Sequence, residues 1–318
     1  MIEKLPLLFW PRRQTLTTLI FHRVLPKPDP LRPGEPDAVR FEQMMRFIAS
    51  NFAVLPLPEA VERLQNGNLP RRACCITFDD GYADNLTIAL PILEKYRLPA
   101  TVFVATGYLD GGRMFNDAVI DAIALTQKTN LDLRDIGLGS LPVGTTEEKR
   151  NSITAILERI KLSPPEQREQ EVTAILVSAQ CGKLPADIML TTAQVRELSD
   201  RGVEIGGHTV AHTILTTLDD ERASDEICSG KKILEAIIGK PVTSFAYPNG
   251  RPGRDYADRH PALVKAAGFQ RAVSTAYGVG WAKNDVYQLP RFTPWAKGSL
   301  KASAQLLRNA WSAAANVA

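Results

Sequence analysis

Short apolar runs along the chain alternate with stretches in which apolar positions recur at helical spacing. Leu16–Phe21, Phe52–Leu55, the run ending at Phe78, Pro99–Gly107, Val203–Gly206, Thr243–Tyr247, Arg271–Ser274 and Tyr287–Leu289 predict strands. Phe41–Asn51, Leu57–Asn66, Asn85–Arg97, Asp219–Ile238, Tyr256–Ala267 and Leu300–Ala314 predict helices. In Asn85–Arg97, for example, Leu86, Ala89, Leu90 and Leu93 share one face. The proline-rich, charged segment Pro26–Pro36 predicts an extended loop. Strand and helix in alternation imply a parallel sheet with helices outside it. From about residue 115 to 199 the rhythm turns helical, with apolar stripes at Ala155–Leu157 and Val172–Ala179 and a glycine-rich gap over Ile136–Gly144. That stretch reads as a helical insertion between two sheet strands. About seven strands with helices between them fit an α/β barrel in a single domain spanning 1–318, with the insertion at about 115–199.

Composition narrows the class. The chain has 318 residues, 44% apolar and 23% charged, an ordinary globular balance with ample core. A formal charge of +3 points to neither nucleic acid nor an anionic surface. Four cysteines, two adjacent in a predicted strand, form no disulfide framework. Cys74 and Cys75 are expected on opposite strand faces as core thiols, in a reducing, cytoplasmic compartment. No apolar run is long enough to span a membrane. The N-terminal stretch Met1–Pro11 is apolar, short and broken by proline, without a small-residue cleavage site. It is expected to dock, if anywhere, on a membrane surface or a partner, and no particular partner protein is indicated.

Two stretches carry the chemistry. Ile76-Thr77-Phe78-Asp79-Asp80-Gly81 is a buried strand that stops at adjacent carboxylates and a glycine. Adjacent carboxylates repel, and persist where a cation neutralises them or their pKa values are split. A strand cap with a turn is the plain alternative. In Val203–His212 a second strand runs through Gly206-Gly207 to His208 and His212. On a helical turn these positions lie on one face, so both imidazoles reach one ion. Together the stretches offer two imidazoles and a carboxylate to a metal, with one carboxylate to spare. That set suits a catalytic zinc with an open position.

Thr-Phe-Asp-Asp-Gly at 77–81 and His-Thr-x-x-His at 208–212 resemble the first two motifs of the polysaccharide deacetylases, carbohydrate esterase family 4. Phe245-Ala246-Tyr247-Pro248-Asn249-Gly250 looks like the third motif, in a Phe-Ala-Tyr-Pro branch, and Leu289-Pro290-Arg291 stands where the last is expected. The resemblance runs over about residues 16–295. It implies a distorted parallel (β/α)7 barrel with catalytic residues at the C-terminal strand ends. It also implies that Asp80, His208 and His212 hold one divalent metal, zinc the first choice, while Asp79 is the base. The family's third motif commonly supplies an Arg near the base and a Tyr whose backbone N–H helps the oxyanion. Here those places are Ala246 and Asn249, and the backbone N–H of Asn249 can still donate. The family's last motif usually ends in a His that serves as general acid, and Arg291 stands in its place. An arginine keeps its proton near pH 7, so Arg291 is expected to orient Asp79 instead.

The two imidazoles left are His22, at the end of the first strand, and His260, in a charged helix start expected to face solvent. His22 is therefore the expected general acid, against the alternative of a structural His bonded in the proline-rich loop. Tyr82, Tyr247 and Trp295 are the aromatics expected to stack on sugar rings. The reading is a metal-dependent hydrolase removing N-acetyl groups from an N-acetylated glycan or glycan precursor. The alternatives are hydrolysis of another amide, such as an N-formyl sugar or small cyclic amide, and a degenerate barrel that binds glycans without cleaving them.

Overall fold

All six residues of β1 (Leu16–Phe21) and all six of β3 (Ala73–Phe78) are buried, as in parallel strands covered on both faces. The computed structural model describes residues 10–11, 14–161, 163–294 and 299–312. Between those strands lie α1 (Ala38–Asn51), the short β2 (Ala53–Val54) and α2 (Leu57–Gln65). After β3 come a π-helical turn over Asn85–Ala89, α3 (Leu90–Lys95), β4 (Thr101–Val104) and α4 (Phe115–Leu125). There follow β5 (Asn130–Leu133), β6 (Gly139–Pro142), α5 (Thr146–Ile160), α6 (Pro165–Ala179) and α7 (Thr192–Asp200). The chain ends with β7 (Glu204–Gly207), α8 (Asp220–Ile238), β8 (Ser244–Ala246), α9 (His260–Ala266), β9 (Arg271–Val273) and α10 (Ser299–Trp311). Side chains set several helix starts. Asp37 accepts from the Val39 and Arg40 N–H groups, and Thr145 with Glu148 and Thr191 with Gln194 form capping boxes.

The main sheet has seven parallel strands in the order β1-β3-β4-β7-β8-β9, with β2 beside β3. Segment 289–292 fills the gap between the two ends of that order. Leu289 bridges to Val273 of β9 and Phe292 bridges to Leu19 of β1, both parallel. This is the barrel the sequence implies, closed by isolated bridges where a last strand at 287–289 was expected. Side chains of β3 alternate between two cores. Cys74, Ile76 and Phe78 face the layer between sheet and helices, while Ala73 and Cys75 face the barrel interior with Leu16, Phe103 and Leu289. The two thiols do point opposite ways. Residues of α2, among them Leu57, Val61 and Leu64, belong to this inner cluster.

The insertion is not wholly helical. Leu131 and Leu133 alternate with exposed Asn130 and Asp132, and β5 pairs antiparallel with β6. The glycine-rich gap is therefore one arm of a hairpin, because period-two burial of the leucines wins over helical continuity. That hairpin packs with α4, α5 and α6 around a separate cluster including Ile123, Ile156, Ile160 and Ile175. The apolar start up to Phe9, Trp295 and the last residues of the expected C-terminal helix lie outside the described residues. Trp10 is buried edge-on against Phe52. No helix among the described residues is long and apolar enough to cross a membrane.

Candidate active site and metal centre

Register brings the chemistry together. Phe21 pairs with Phe78, Val104 with Gly207, Gly207 with Phe245 and Ala246 with Val273. The residues that follow these positions therefore emerge on one rim: His22, Asp79 and Asp80, His208, the loop to Asn249, and the loop to Tyr277. The Asp79 N–H still bonds the Phe21 carbonyl at 2.9 Å, and then the chain turns with φ +75° at Asp80 and +86° at Gly81. An Asp tolerates that left-handed conformation better than most side chains. At Gly81 a Cβ would also lie 3.0 Å from Val104.

Asp80, His208 and His212 bring one ligand atom each within 4.8 Å of one another. Asp80 Oδ1 is 3.4 Å from His208 Nε2 and 3.3 Å from His212 Nε2. Ligand atoms held at about 2.0–2.1 Å around a tetrahedral ion are separated by about 3.3–3.4 Å. Asp80 Oδ1 is buried and has no hydrogen-bond partner among the described residues. A buried carboxylate oxygen left unsatisfied is costly, and a cation would satisfy it. The residues present thus fit a metal ion. His208 Nδ1 lies 2.7 Å from the Ala246 carbonyl, which can only accept, so Nδ1 carries the proton and the Nε2 lone pair faces Asp80. Burial, only partly offset by Asp80, pushes the His212 pKa down to about 4, so His212 is neutral at pH 7, as a ligand must be. Burial alone would raise the Asp80 pKa, but as pH falls the protonating imidazoles of His212, His208 and His22 hold it well below the usual carboxylate range.

His208 and His212 do not share a helical turn. The chain from His208 to Thr213 is irregular, with φ +64° at Thr209 and +51° at His212. Its N–H groups are taken by a carboxylate from α8 rather than by helical carbonyls, and the rings sit edge to face with centroids 4.8 Å apart. Gly206 and Gly207 before them are required by packing. A Cβ at Gly206 would lie 2.3 Å from the Phe103 ring, and one at Gly207 2.8 Å from that of Phe269.

Asp79 is buried beside the triad, its Oδ2 4.0 Å from His208 Nε2. Arg291 grips it with both arms, Nη1 to Oδ1 at 2.6 Å and Nη2 to Oδ2 at 2.7 Å. The Arg291 Nε also donates to the Ser274 carbonyl at 3.0 Å and Nη1 to the Thr77 hydroxyl at 3.2 Å. Its side chain is fully buried. Burial raises the Asp79 pKa, and Arg291, His208 and His22 reverse this to a net lowering.

His22 is half-buried on the same rim. Asn85 Nδ2 donates to its carbonyl at 2.8 Å, and Asp84 accepts from the Val24 N–H and Arg23 Nε at 3.0 and 2.8 Å. Burial lowers its pKa, but the carboxylates of Asp80, Glu35 and Asp79 outweigh this and raise it overall. Asn249 is exposed after β8 with φ +57°, its carbonyl accepting from the Thr275 hydroxyl at 2.6 Å.

Other expectations need correction. His260 is fully buried, because its Nδ1 accepts from the Ala257 N–H at 2.8 Å at the start of α9. Tyr82 and Tyr247 are buried too and present no face to a sugar. The Tyr82 hydroxyl donates to Asp117, and Tyr247 stacks on Tyr256. Among the described residues, the exposed aromatic on this rim is Tyr277, 47% exposed and backed edge-on by Phe292. Neither it nor the loop-holding Glu226 carries a sequence signal, since each is a single residue in an unremarkable polar setting.

Comparison with known proteins bears on the family and the fold. Residues 66–137 and 144–272 match the family model described as polysaccharide deacetylase, so His22 and Arg291 lie outside the matched stretches. The Bacillus subtilis (strain 168) protein YxkH is 22% identical over 263 residues, covering 81% of this chain and 66% of that protein. A poly-beta-1,6-N-acetyl-D-glucosamine N-deacetylase of Staphylococcus aureus (strain MSSA476) is 37% identical over 71 residues, 22% of this chain and 24% of that protein. The chain thus spans less than two thirds of the length of these curated relatives. Among solved structures, the Streptococcus pyogenes deacetylase PplD in complex with acetate superposes with a TM-score of 0.60 at 19% identity, covering 94% of this chain and 99% of that one. IcaB from Ammonifex degensii gives 0.57 at 16% identity, covering 94% and 98%. At such identities the superpositions speak to the fold. The family match runs through the strands that carry Asp79, Asp80 and His208, and on this footing the chain belongs to the polysaccharide deacetylase family.

Proposed function

We propose that the protein is a metal-dependent hydrolase that removes N-acetyl groups from an N-acetylated sugar of a polysaccharide or its precursor. The observation that carries this is Asp80 Oδ1, buried between two imidazoles without a hydrogen-bond partner among the described residues, beside an Asp79 that Arg291 keeps ionised. Zinc is the expected ion, because two imidazoles and a carboxylate with a free position form a catalytic zinc set. Bound there, it supplies Lewis acidity that eases ionisation of water and polarises an amide carbonyl.

The chain's own residues divide the remaining work. Asp79 takes a proton from the attacking water as the new C–O bond forms. The backbone N–H of Asn249 donates to the carbonyl oxygen as negative charge develops there. His22 gives a proton to the leaving nitrogen as the C–N bond breaks, which releases acetate and a free amine. Arg291 holds Asp79 ionised and aimed. A cation beside Asp80 would oppose the carboxylates that raise the His22 pKa, and so ease release of its proton. The four unpaired cysteines support a reducing, cytoplasmic compartment.

Acetate release from N-acetylglucosamine oligomers tests the reading. Chelator-stripped protein is expected to be inactive and added zinc to restore turnover. No acetate with zinc restored would reduce the chain to a barrel that binds without cleaving. In the same assay His22→Ala is expected to lower turnover about 10²-fold with metal content unchanged. Wild-type turnover in that variant would remove His22 from the mechanism.

A further inference from the structure

The loop from His208 to His212 lacks secondary structure, yet its intervening backbone groups are bonded from two sides. Val210 N–H and Ala211 N–H both donate to Glu226 Oε2, at 2.9 and 2.8 Å. Opposite, the Thr209 and Val210 carbonyls accept from the Thr106 and Gly107 N–H groups at 3.3 and 2.8 Å, and the Ala211 carbonyl accepts from the Tyr108 hydroxyl at 2.9 Å. Glu226 lies on α8 one turn before Gly230, where a Cβ would meet the Thr209 carbonyl group at 3.0 Å. A bare glycine there lets the helix approach until the Glu226 carboxylate reaches the loop. The left-handed Thr209 and His212 are strained and persist only where the surroundings over-determine them. Among the described residues, Glu226 is the one side chain that holds two successive amides of this loop, just before His212.

We propose that Glu226 is a positioning residue for the metal triad, clamping Val210 and Ala211 so that the His212 imidazole stays beside Asp80. This rests on the metal-site reading above. A carboxylate accepting two N–H bonds is a strong acceptor, a glutamine carbonyl can also accept both, and alanine accepts neither. Groups that orient metal ligands change affinity by about 10–100-fold when removed. Glu226→Ala should therefore weaken zinc binding by about that factor, and Glu226→Gln should recover most of it.

The experiment uses the full chain, stripped of metal and titrated with zinc against a chromophoric chelator, alongside the visible absorption of the cobalt(II)-loaded form. Weaker zinc binding and an altered cobalt spectrum in Glu226→Ala, with both largely restored in Glu226→Gln, support the proposal. Wild-type zinc affinity and cobalt spectrum in Glu226→Ala overturn it. If Glu226→Ala does not fold, Glu226→Asp carries the test, since the shorter side chain cannot reach both amides, and wild-type affinity there overturns the proposal equally. Failure of the wild type to bind zinc would instead sink the metal-site reading, and this proposal with it.

Discussion

Asp79→Asn is expected to keep the metal and lose about 10²–10⁴-fold in turnover. The two guanidinium bonds occupy one lone pair on each carboxylate oxygen, leaving the second free, and Oδ2 faces the triad 4.0 Å from His208 Nε2. The oxygen that can receive a proton is thus the one beside the metal site. An asparagine cannot receive it. Its amide nitrogen would also oppose one Arg291 N–H, so a modest loss of stability should accompany the loss of rate. Elemental analysis, turnover and thermal unfolding on the same preparation separate the two effects. An Asn variant with wild-type turnover and full metal content would move the base elsewhere.

Arg291→Met is expected to cost about 3–5 kcal/mol of stability, because it strands a buried carboxylate without its partner. Asp79 has a lowered pKa in the fold, so its ion pair contributes stability that is present above the ordinary Asp value of about 3.9 and is lost as pH falls through the folded value. The Met variant should lose this contribution, and the stability gap between it and the wild type should close under acid conditions. Without the guanidinium, burial pushes the Asp79 pKa up, so the acidic limb of the rate profile should move to higher pH. Denaturant midpoints across pH, with Arg291→Lys as the case that keeps charge but not the fork, check both parts. A Met variant as stable as the wild type at pH 7 would show that another group neutralises Asp79.

Local rules carry much of this. The parallel alternation, the helix at 219–238 and the placing of Asp79, Asp80, His208 and His212 on strand ends all follow from periodicity and from residues that punctuate it. Where sequence misled, a hydrogen bond or strand pairing decided. The turn holding His208 and His212 is shaped by Glu226 and by backbone groups at 106–107. His260 is buried by a hydrogen bond to its own helix start, and the gap at 136–144 by a strand pairing that only alternation at Leu131 and Leu133 announces. Tyr82 and Tyr247 look like rim aromatics in a linear reading because burial is a property of the closed barrel.

The seam at 289–292 has a consequence for how the protein is made. Asp79 and Arg291 stand 212 positions apart, and each flank of the seam closes on a single bridge. A ribosome delivers Asp79 long before Arg291, and contacts so distant in sequence form late because the intervening loop must first be closed. Until then Asp79 and Asp80 are neighbouring charges best left in water, and a nascent barrel has reason to stay open at that edge. Arrival of the guanidinium removes the penalty for burying Asp79, so barrel closure and the fixing of that carboxylate become one event, triggered by almost the last stretch of the barrel to be synthesised.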